Sequence, residues 1–580
     1  IIVPSGVSWE QLRLQEAADF SDRAFAFGRG DGIGSNNWVI SGDKTTTGFP
    51  LLANDMHLGI QMPSIWYEVG LHCQADCSYN VTGFSFPGVP GVIVGHNERI
   101  AWGVTNLGPD VQDWYVEKLN PDNPNQYEVN GQWVDFEIIR EEIAVQGRSK
   151  PEMIEVRISR HGPVLNEVMD DLPVEANQVL ALKWTALEPG EIFKAVLLLN
   201  KAQNWDEFRA ALEYWHVPSQ NFVYADIEGN IGYQAPGRIP IRASGDGQMP
   251  VPGWTDEYEW LGYIPFEELP SRFNPPEGFI VTANHAVVDA GYPYLISLDW
   301  DRGYRGQRIT EMIEARDTLS ADDIEVIHGD NKSLSAGEVV SYLVVLSPEE
   351  DKLHQALERL ALWDLQEHKD SAEAALYEVV WSKLLVELFD EAPEDLRPDR
   401  DTWVMVLVRD LLAQPNNHWW DDARTPAVET RDDILLRALQ QGYAFVEKRQ
   451  GSDMDKWAWG KLHTATFENQ SVGQSGIGLV ESIFNRGPVP ASGGNGIINA
   501  TGWSMDEPAT LVSVPSERMI VDLSDWQRSL SMHTTGQSGH PYHEHYGDMI
   551  IPWRDIQYHT MHWERSSIEA DAEGTLRLEP

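Results

Sequence analysis

The sequence predicts an α+β fold, and three stretches of it carry that expectation. From residue 35 to about 310, short apolar runs such as "NWVIS", "GVIVGH" and "NFVYAD" alternate with the turn signals "GHNER", "EGNIG" and "PVPGW". From about 318 the pattern becomes helical. Ser320 and Asp323 have capping-box spacing, and "AEAALYEVVWSKLLVELF" repeats its apolar residues at helical intervals. After about 450, glycine-rich loops and strands return in "GGNGIINATGW" and "RMIVDLSDW". That last stretch is too short for a core of its own, so the two β portions are expected to complete one sheet system around a helical insert.

In chain order this gives four segments. Residues 1–34 read as a helix, "SWEQLRLQEAADFSDRAFAF", running into a glycine-rich stretch. Residues 35–317 form the first β portion, 318–450 the helical insert, and 451–580 the closing β portion. The chain starts Ile1-Ile2-Val3 and is expected to be a fragment or a processed piece. No apolar run is long enough to span a membrane.

With 90 acidic against 43 basic residues, the formal charge is −47. A surface of that sign repels nucleic acid and anionic lipid, and it suits high salt, where screening relieves self-repulsion. The 23 tryptophans are expected mostly in the core, with some available to line an apolar cleft. Cys73 and Cys77, in "HCQADC", are either a small disulfide loop in an oxidising compartment or two reduced thiols. A zinc site would need further ligands, and none is near them in sequence.

The most informative stretch is "GRGDGIGSNNWVI", in which Gly28, Gly30, Gly32 and Gly34 precede Ser35. It is not a dinucleotide fingerprint, because the spacing is wrong and the run leads into a strand instead of a helix. Two readings stay open: a flexible linker, and a cleavage loop in which Ser35 attacks the carbonyl before it. Cleavage at Gly34–Ser35 would leave Ser35 with a free α-amine. A serine hydroxyl needs a base, and an α-amine of pKa about 7.7–8.0 is partly neutral near pH 7 and can serve as one. The G-x-S-x-G flag of other serine hydrolases is absent.

"GSNNWVISGDKTTTGFPLLANDMHL" resembles the start of the β subunit in the penicillin acylase family of N-terminal nucleophile hydrolases. The resemblance continues through "PGVPGVIVGHNERIAWGVTN", "VYADIEGNIGYQAPGRIPIR", "PPEGFIVTANHAVV" and "YRGQRI" to "PSERMIVDLSDW" and "GQSGHP". It implies a four-layer αββα sandwich of antiparallel sheets, with residues 1–34 as the end of an α subunit or spacer. It also implies autoproteolysis at Gly34–Ser35, a heterodimer with an α subunit, and a periplasmic or secreted location. Ser35 matches the family's nucleophile. His57 is the twenty-third residue counted from Ser35, where members place His or Gln beside the nucleophile's amine. The Asn106 backbone N–H and the Asn284 side chain match the oxyanion donors, and Arg308 matches the arginine that organises this asparagine.

The implied activity is hydrolysis of an acyl amide in a small molecule, through an acyl-enzyme on Ser35. Leu58 and Val94 stand where members with a phenylacetyl pocket carry aromatic residues, Val104 lies beside the oxyanion loop, and all three are smaller and aliphatic. An aliphatic acyl chain is therefore expected, as in penicillin V, cephalosporin side chains or acyl-homoserine lactones. A structural calcium is the cofactor implied, with Asp110, Asp113 and the Gln112 carbonyl as ligands in "GPDVQDWY". A further ligand aspartate has no match near Ile296 and Ser297, and no organic cofactor is expected. Two other classes remain. One is a metal-dependent hydrolase using His540, His543 and His545 in "HPYHEHYGD", although HExxH is absent. The other is a tryptophan-rich binding protein without catalysis.

Overall fold

Strand β1 (Gly34–Ile40) is buried along its whole length, which is why its sequence "GSNNWVI" does not alternate polar with apolar. It pairs antiparallel with β2 (Leu51–Gly59), Gly34 opposite His57 and Ser35 opposite Met56. Side chains still alternate between faces. Val39, Leu52 and Met56 enter one apolar cluster, while Trp38, Ile40, Leu51 and Ala53 enter another on the opposite face.

The computed structural model describes residues 34–74, 77–166, 169, 174–175, 177–392, 397, 402–503 and 509–578. The helix expected within 1–34 lies outside them. Two seven-stranded sheets organise the core. Besides β1 and β2, the strands that shape the site are β3 (Ile100–Asn106), β4 (Gln220–Asp226), β5 (Phe279–Thr282) and β6 (Leu511–Asp522). The first sheet runs β5-β1-β2-β6 and then outward through Leu530–His533 to His559–Thr560. The C-terminal segment thus supplies the strand beside β2. The second sheet centres on the antiparallel pair β3 and β4.

The inner faces of the two sheets share one cluster, in which Val39, Leu52, Met519 and Val521 of the first belong with Phe84 and Val223 of the second. Helices α1 (Ile192–Leu199) and α2 (Trp205–Leu212) bury Ala195, Val196, Leu199, Phe208 and Leu212 in that cluster from the side of the second sheet. Helices α3 (Tyr304–Glu314) and α4 (Ala321–His328) bury Ile309, Ile313, Ile324 and Ile327 against Trp38, Ile40 and Ile520 of the first. The order is helix, sheet, sheet, helix.

The helices of the central segment begin at Tyr304, earlier than the sequence pattern suggests, because α3 has a largely polar sequence and shows only a narrow apolar stripe. Helices Ala372–Phe389 and Arg431–Gln450 lead a separate cluster that includes Trp381, Trp420, Trp457 and Trp459. Trp38, Trp66, Trp102, Trp420, Trp459, Trp503 and Trp553 are all fully buried, so much of the tryptophan surplus is packing. Cys73 and Cys77 form a disulfide.

Candidate active site

The Gly34–Ser35 peptide sits at the start of β1, where two sheet strands and one helix converge. Ser35 is 4% exposed. Its backbone N–H donates to Asn284 Oδ1 at 2.7 Å. Asn284 lies just past the end of β5, which pairs with β1, and it adopts φ +64°, a left-handed conformation that costs a non-glycine residue energy. Its Nδ2 donates to the Asn106 carbonyl at 2.9 Å, at the end of β3. Asn221 Nδ2 also reaches that carbonyl, at 3.2 Å. One side-chain amide therefore ties the serine nitrogen of the first sheet to the strand end of the second.

Arg305 completes this arrangement, and it is not the arginine the sequence motif singled out. Its Nη1 donates to the Ser35 carbonyl at 2.7 Å and to Asn36 Oδ1 at 2.8 Å. Its Nη2 donates to Asn284 Oδ1 at 2.9 Å and to Asp301 Oδ2 at 3.0 Å. Arg308 instead forms a fork with Asp330 at 2.9 and 3.0 Å, away from Asn284. Both arginines occur in "YRGQRI". Helical residues three positions apart share a face but differ by about 4.5 Å along the axis, and only the arginine nearer the N-terminus of α3 reaches the end of β1. That axial offset leaves no trace in the sequence.

On the outer face of the first sheet, Asn36, Asp55 and His57 form a fully buried group. Asp55 Oδ2 lies 3.1 Å from His57 Nε2 and accepts from Asn36 Nδ2 at 3.0 Å. Burial pushes the Asp55 carboxyl up, but the contact with His57 and the Arg518 guanidinium outweigh it and hold it at about 2. The Arg518 Nε lies 3.5 Å from Asp55 Oδ1. Burial lowers the His57 pKa, opposed by Asp55 and assisted by Arg305, so the imidazole is neutral. A Cβ built on Gly34 would lie 3.0 Å from Arg305 Nη2, 3.1 Å from Asn284 Oδ1 and 3.4 Å from His57 Nδ1. A larger residue there would press on all three side chains. Asp55 and Asn36 escaped the sequence reading, yet the i, i+2 spacing of Asp55 and His57 on a strand was a usable signal.

Leu58, Val94 and Val104 fall in one apolar cluster with Met56, the cross-strand partner of Ser35. Val94 and Val104 are completely packed, whereas Leu58 is partly exposed.

The residues expected to hold calcium do not fit that ion as they stand. Arg242 donates from Nε to Asp113 Oδ2 at 2.8 Å, and from Nη2 to Asp113 Oδ1 at 2.9 Å and Asp110 Oδ1 at 3.1 Å. Its guanidinium occupies the face toward which both carboxylates turn, and a Cβ on Gly247 would already lie 2.5 Å from Asp110 and 2.8 Å from Asp113. Burial raises Asp110 to about 6; Arg242 opposes this and Asp113 adds to it.

The three C-terminal histidines do not converge either. His540 and His543 each accept a backbone N–H through Nδ1. His545 spends Nδ1 on Asp548 at 2.6 Å and Nε2 on Glu573 at 2.7 Å. Those hydrogen bonds raise it to about 9, so it is a cation, unsuited to bind a metal. Among the described residues, the grouping of metal-ligand type found is Glu544, His545 and Glu573 at the surface.

The layering, with Ser35 near the start of a buried strand of the first sheet, is that of the N-terminal nucleophile hydrolases. The family model for penicillin amidase matches residues 5–570, and the chain belongs to that family. It is 31% identical over 567 residues to the acyl-homoserine lactone acylase QuiP of Pseudomonas aeruginosa, covering 90% of this chain and 66% of that protein. The chain thus spans about two thirds of the length of this relative. It is 28% identical to the penicillin acylase 2 proenzyme of a Pseudomonas strain, over 100% of this chain and 74% of the proenzyme. Among solved structures, a thermostable penicillin G acylase from Alcaligenes faecalis superposes with a TM-score of 0.70. That match covers 94% of this chain and 99% of the other at 24% identity, a likeness of fold.

Proposed function

We propose that the chain is the catalytic part of an acylase that hydrolyses the amide between an aliphatic acyl chain and a small amine, such as an amino-lactone or a β-lactam nucleus. The observation that carries this reading is the Ser35 nitrogen, held at 2.7 Å by Asn284 at the mouth of β1. Cleavage of Gly34–Ser35 converts that nitrogen into an α-amine. Ser35 Oγ then attacks the substrate carbonyl while the amine takes its proton. The Asn106 N–H and Asn284 Nδ2 stabilise the oxyanion, a role worth about 3–4 kcal/mol per donor in other hydrolases. The amine delivers the proton to the leaving nitrogen, and water releases the acid. Asn284 Nδ2 now donates to the Asn106 carbonyl and would exchange that partner for the oxyanion.

The relatives' names support both amine classes, since one is an acyl-homoserine lactone acylase and another a penicillin acylase. The apolar side chains of Leu58, Val94 and Val104 favour a linear acyl group, which gains about 0.8 kcal/mol per buried CH₂. A partner α subunit belongs to the same reading, as does a periplasmic or secreted location, for which the Cys73–Cys77 disulfide speaks. No step is routed through calcium. The test is a p-nitroanilide series on the complete processed enzyme. kcat/KM should rise from acetyl to hexanoyl, and hexanoyl should exceed phenylacetyl. A preference for phenylacetyl contradicts the acyl assignment; inactivity on every amide contradicts the function.

A further inference from the structure

Hydrogen-bond counting around Asn36 fixes which nitrogen of His57 carries the proton. Arg305 donates to Asn36 Oδ1, which sets the orientation of that amide. Asn36 Nδ2 therefore has two protons to place, and two oxygens are in reach: Asp55 Oδ2 at 3.0 Å and the Ile498 carbonyl at 3.0 Å. His57 Nε2 lies 3.2 Å from Asn36 Nδ2 and 3.1 Å from Asp55 Oδ2. If Nε2 were unprotonated, its lone pair would face an ionised carboxylate inside the protein, with both Asn36 protons already used. If Nε2 carries the proton, it donates to Asp55 Oδ2, and both Nε2 and the Asn36 amide are satisfied. Nδ1 then holds a lone pair. Nδ1 is buried, has no hydrogen-bond partner among the described residues, and looks toward Gly34 at the start of β1.

We propose that Asp55 is a positioning residue: it fixes the Nε2–H form of His57, so that Nδ1 presents an acceptor to the Ser35 amine once the Gly34–Ser35 bond is cut. The inference rests on the acylase reading of Ser35. During attack, the Ser35 amine takes the proton of Oγ and becomes an ammonium. The ammonium has one more N–H to place than the amine, and Asn284 Oδ1 accepts only from its own side. His57 Nδ1 accepts another, and the Asp55 carboxylate behind the ring favours the positive charge that develops in front of it. The proton then passes from the ammonium to the leaving nitrogen, and His57 and Asp55 end unchanged. An imidazole with its proton on Nδ1 would oppose the ammonium instead. Buried acid–imidazole pairs orient reactive groups elsewhere by this means.

The experiment compares Asp55→Asn, Asp55→Glu, His57→Gln and Asp55→Asn/His57→Gln with the wild type. Each is made as the full enzyme, with exposure of Ser35 confirmed by mass or secured by a protease site placed before it. Asparagine can donate to Nε2 and so reverse the tautomer. Asp55→Asn should lower kcat about 10²- to 10⁴-fold with KM nearly unchanged. Asp55→Glu should recover at least tenfold over asparagine. In the His57→Gln background, Asp55→Asn should cost less than about threefold more, because its effect runs through the ring. If asparagine is not accepted by the fold, Asp55→Ser takes its place in the same comparisons. An Asp55→Asn enzyme within threefold of wild type overturns the proposal, as does an undiminished Asp55 effect in the absence of His57. A wild type without amidase activity sinks the acylase reading itself.

Discussion

Two charged clusters in this protein each set an arginine near aspartate and end differently. Around Asp110, Asp113 and Arg242 the charges face one another, and the guanidinium satisfies both carboxylates. Around Asn36, Asp55, His57 and Arg305 the charges face a peptide bond. Arg305 reaches the Ser35 carbonyl, Asn284 reaches the Ser35 nitrogen, and His57 Nδ1 is left over, turned toward Gly34. The first cluster is closed on itself and stabilises the structure. The second directs its donors and acceptors at the Gly34–Ser35 peptide, the bond that the proposed function has cut. Closure, more than the number of charges, separates a structural cluster from a reactive one.

That contrast can be broken most forcefully at Arg242. Arg242→Met strands two carboxylates, and losing one partner of a buried ion pair costs about 3–5 kcal/mol. Thermal unfolding should show a large fall in Tm while kcat of the folded fraction is unchanged. Calcium should restore part of that Tm, whereas calcium or a chelator leaves the wild-type Tm where it is. At the reactive cluster the pattern reverses. Asn284→Ala should lower kcat about 10²- to 10³-fold with little change in Tm, measured on protein whose Ser35 terminus has been verified. The two arginines of α3 sharpen the comparison further. Arg305→Lys loses the planar fork that joins Ser35, Asn36 and Asn284 and should cost about tenfold or more in kcat. Arg308→Ala should stay within about threefold.

The smallest effect concerns pH. Asp110 titrates near 6 in the folded chain, above its ordinary value, so the folded state binds the extra proton between about pH 4 and pH 6. Stability from this group is present at low pH and lost as pH rises through that window. Asp110→Asn should flatten that part of the Tm-against-pH curve, relative to wild type, by about a degree or two.

Much of this was legible beforehand. The alternation of short apolar runs, the helical spacing beyond Ser320 and the return of strands at the end gave the α+β class. The sequence around Ser35 pointed to the nitrogen that now lies against Asn284. What escaped was whatever depends on distance along an element or on pairing across the fold. Arg305 and Arg308 lie within one motif and share a helix face, and only the meeting of α3 with β1 separates them. Arg242 is far in sequence from Asp110 and Asp113, so two carboxylates looked like an empty ligand set. Asp55 was hidden for another reason: it stands in the buried part of β2, where apolar alternation is weak and only its i, i+2 spacing from His57 marks the shared face.

The central claim is that Ser35 works as an N-terminal residue, and intact-mass measurement of the purified full-length protein tests it most directly. The account predicts two polypeptides, one beginning at Ser35, and a single uncut chain for Ser35→Ala. A wild type that hydrolyses amides while its Gly34–Ser35 bond stays joined, or a Ser35→Ala chain still cut at that bond, would contradict it.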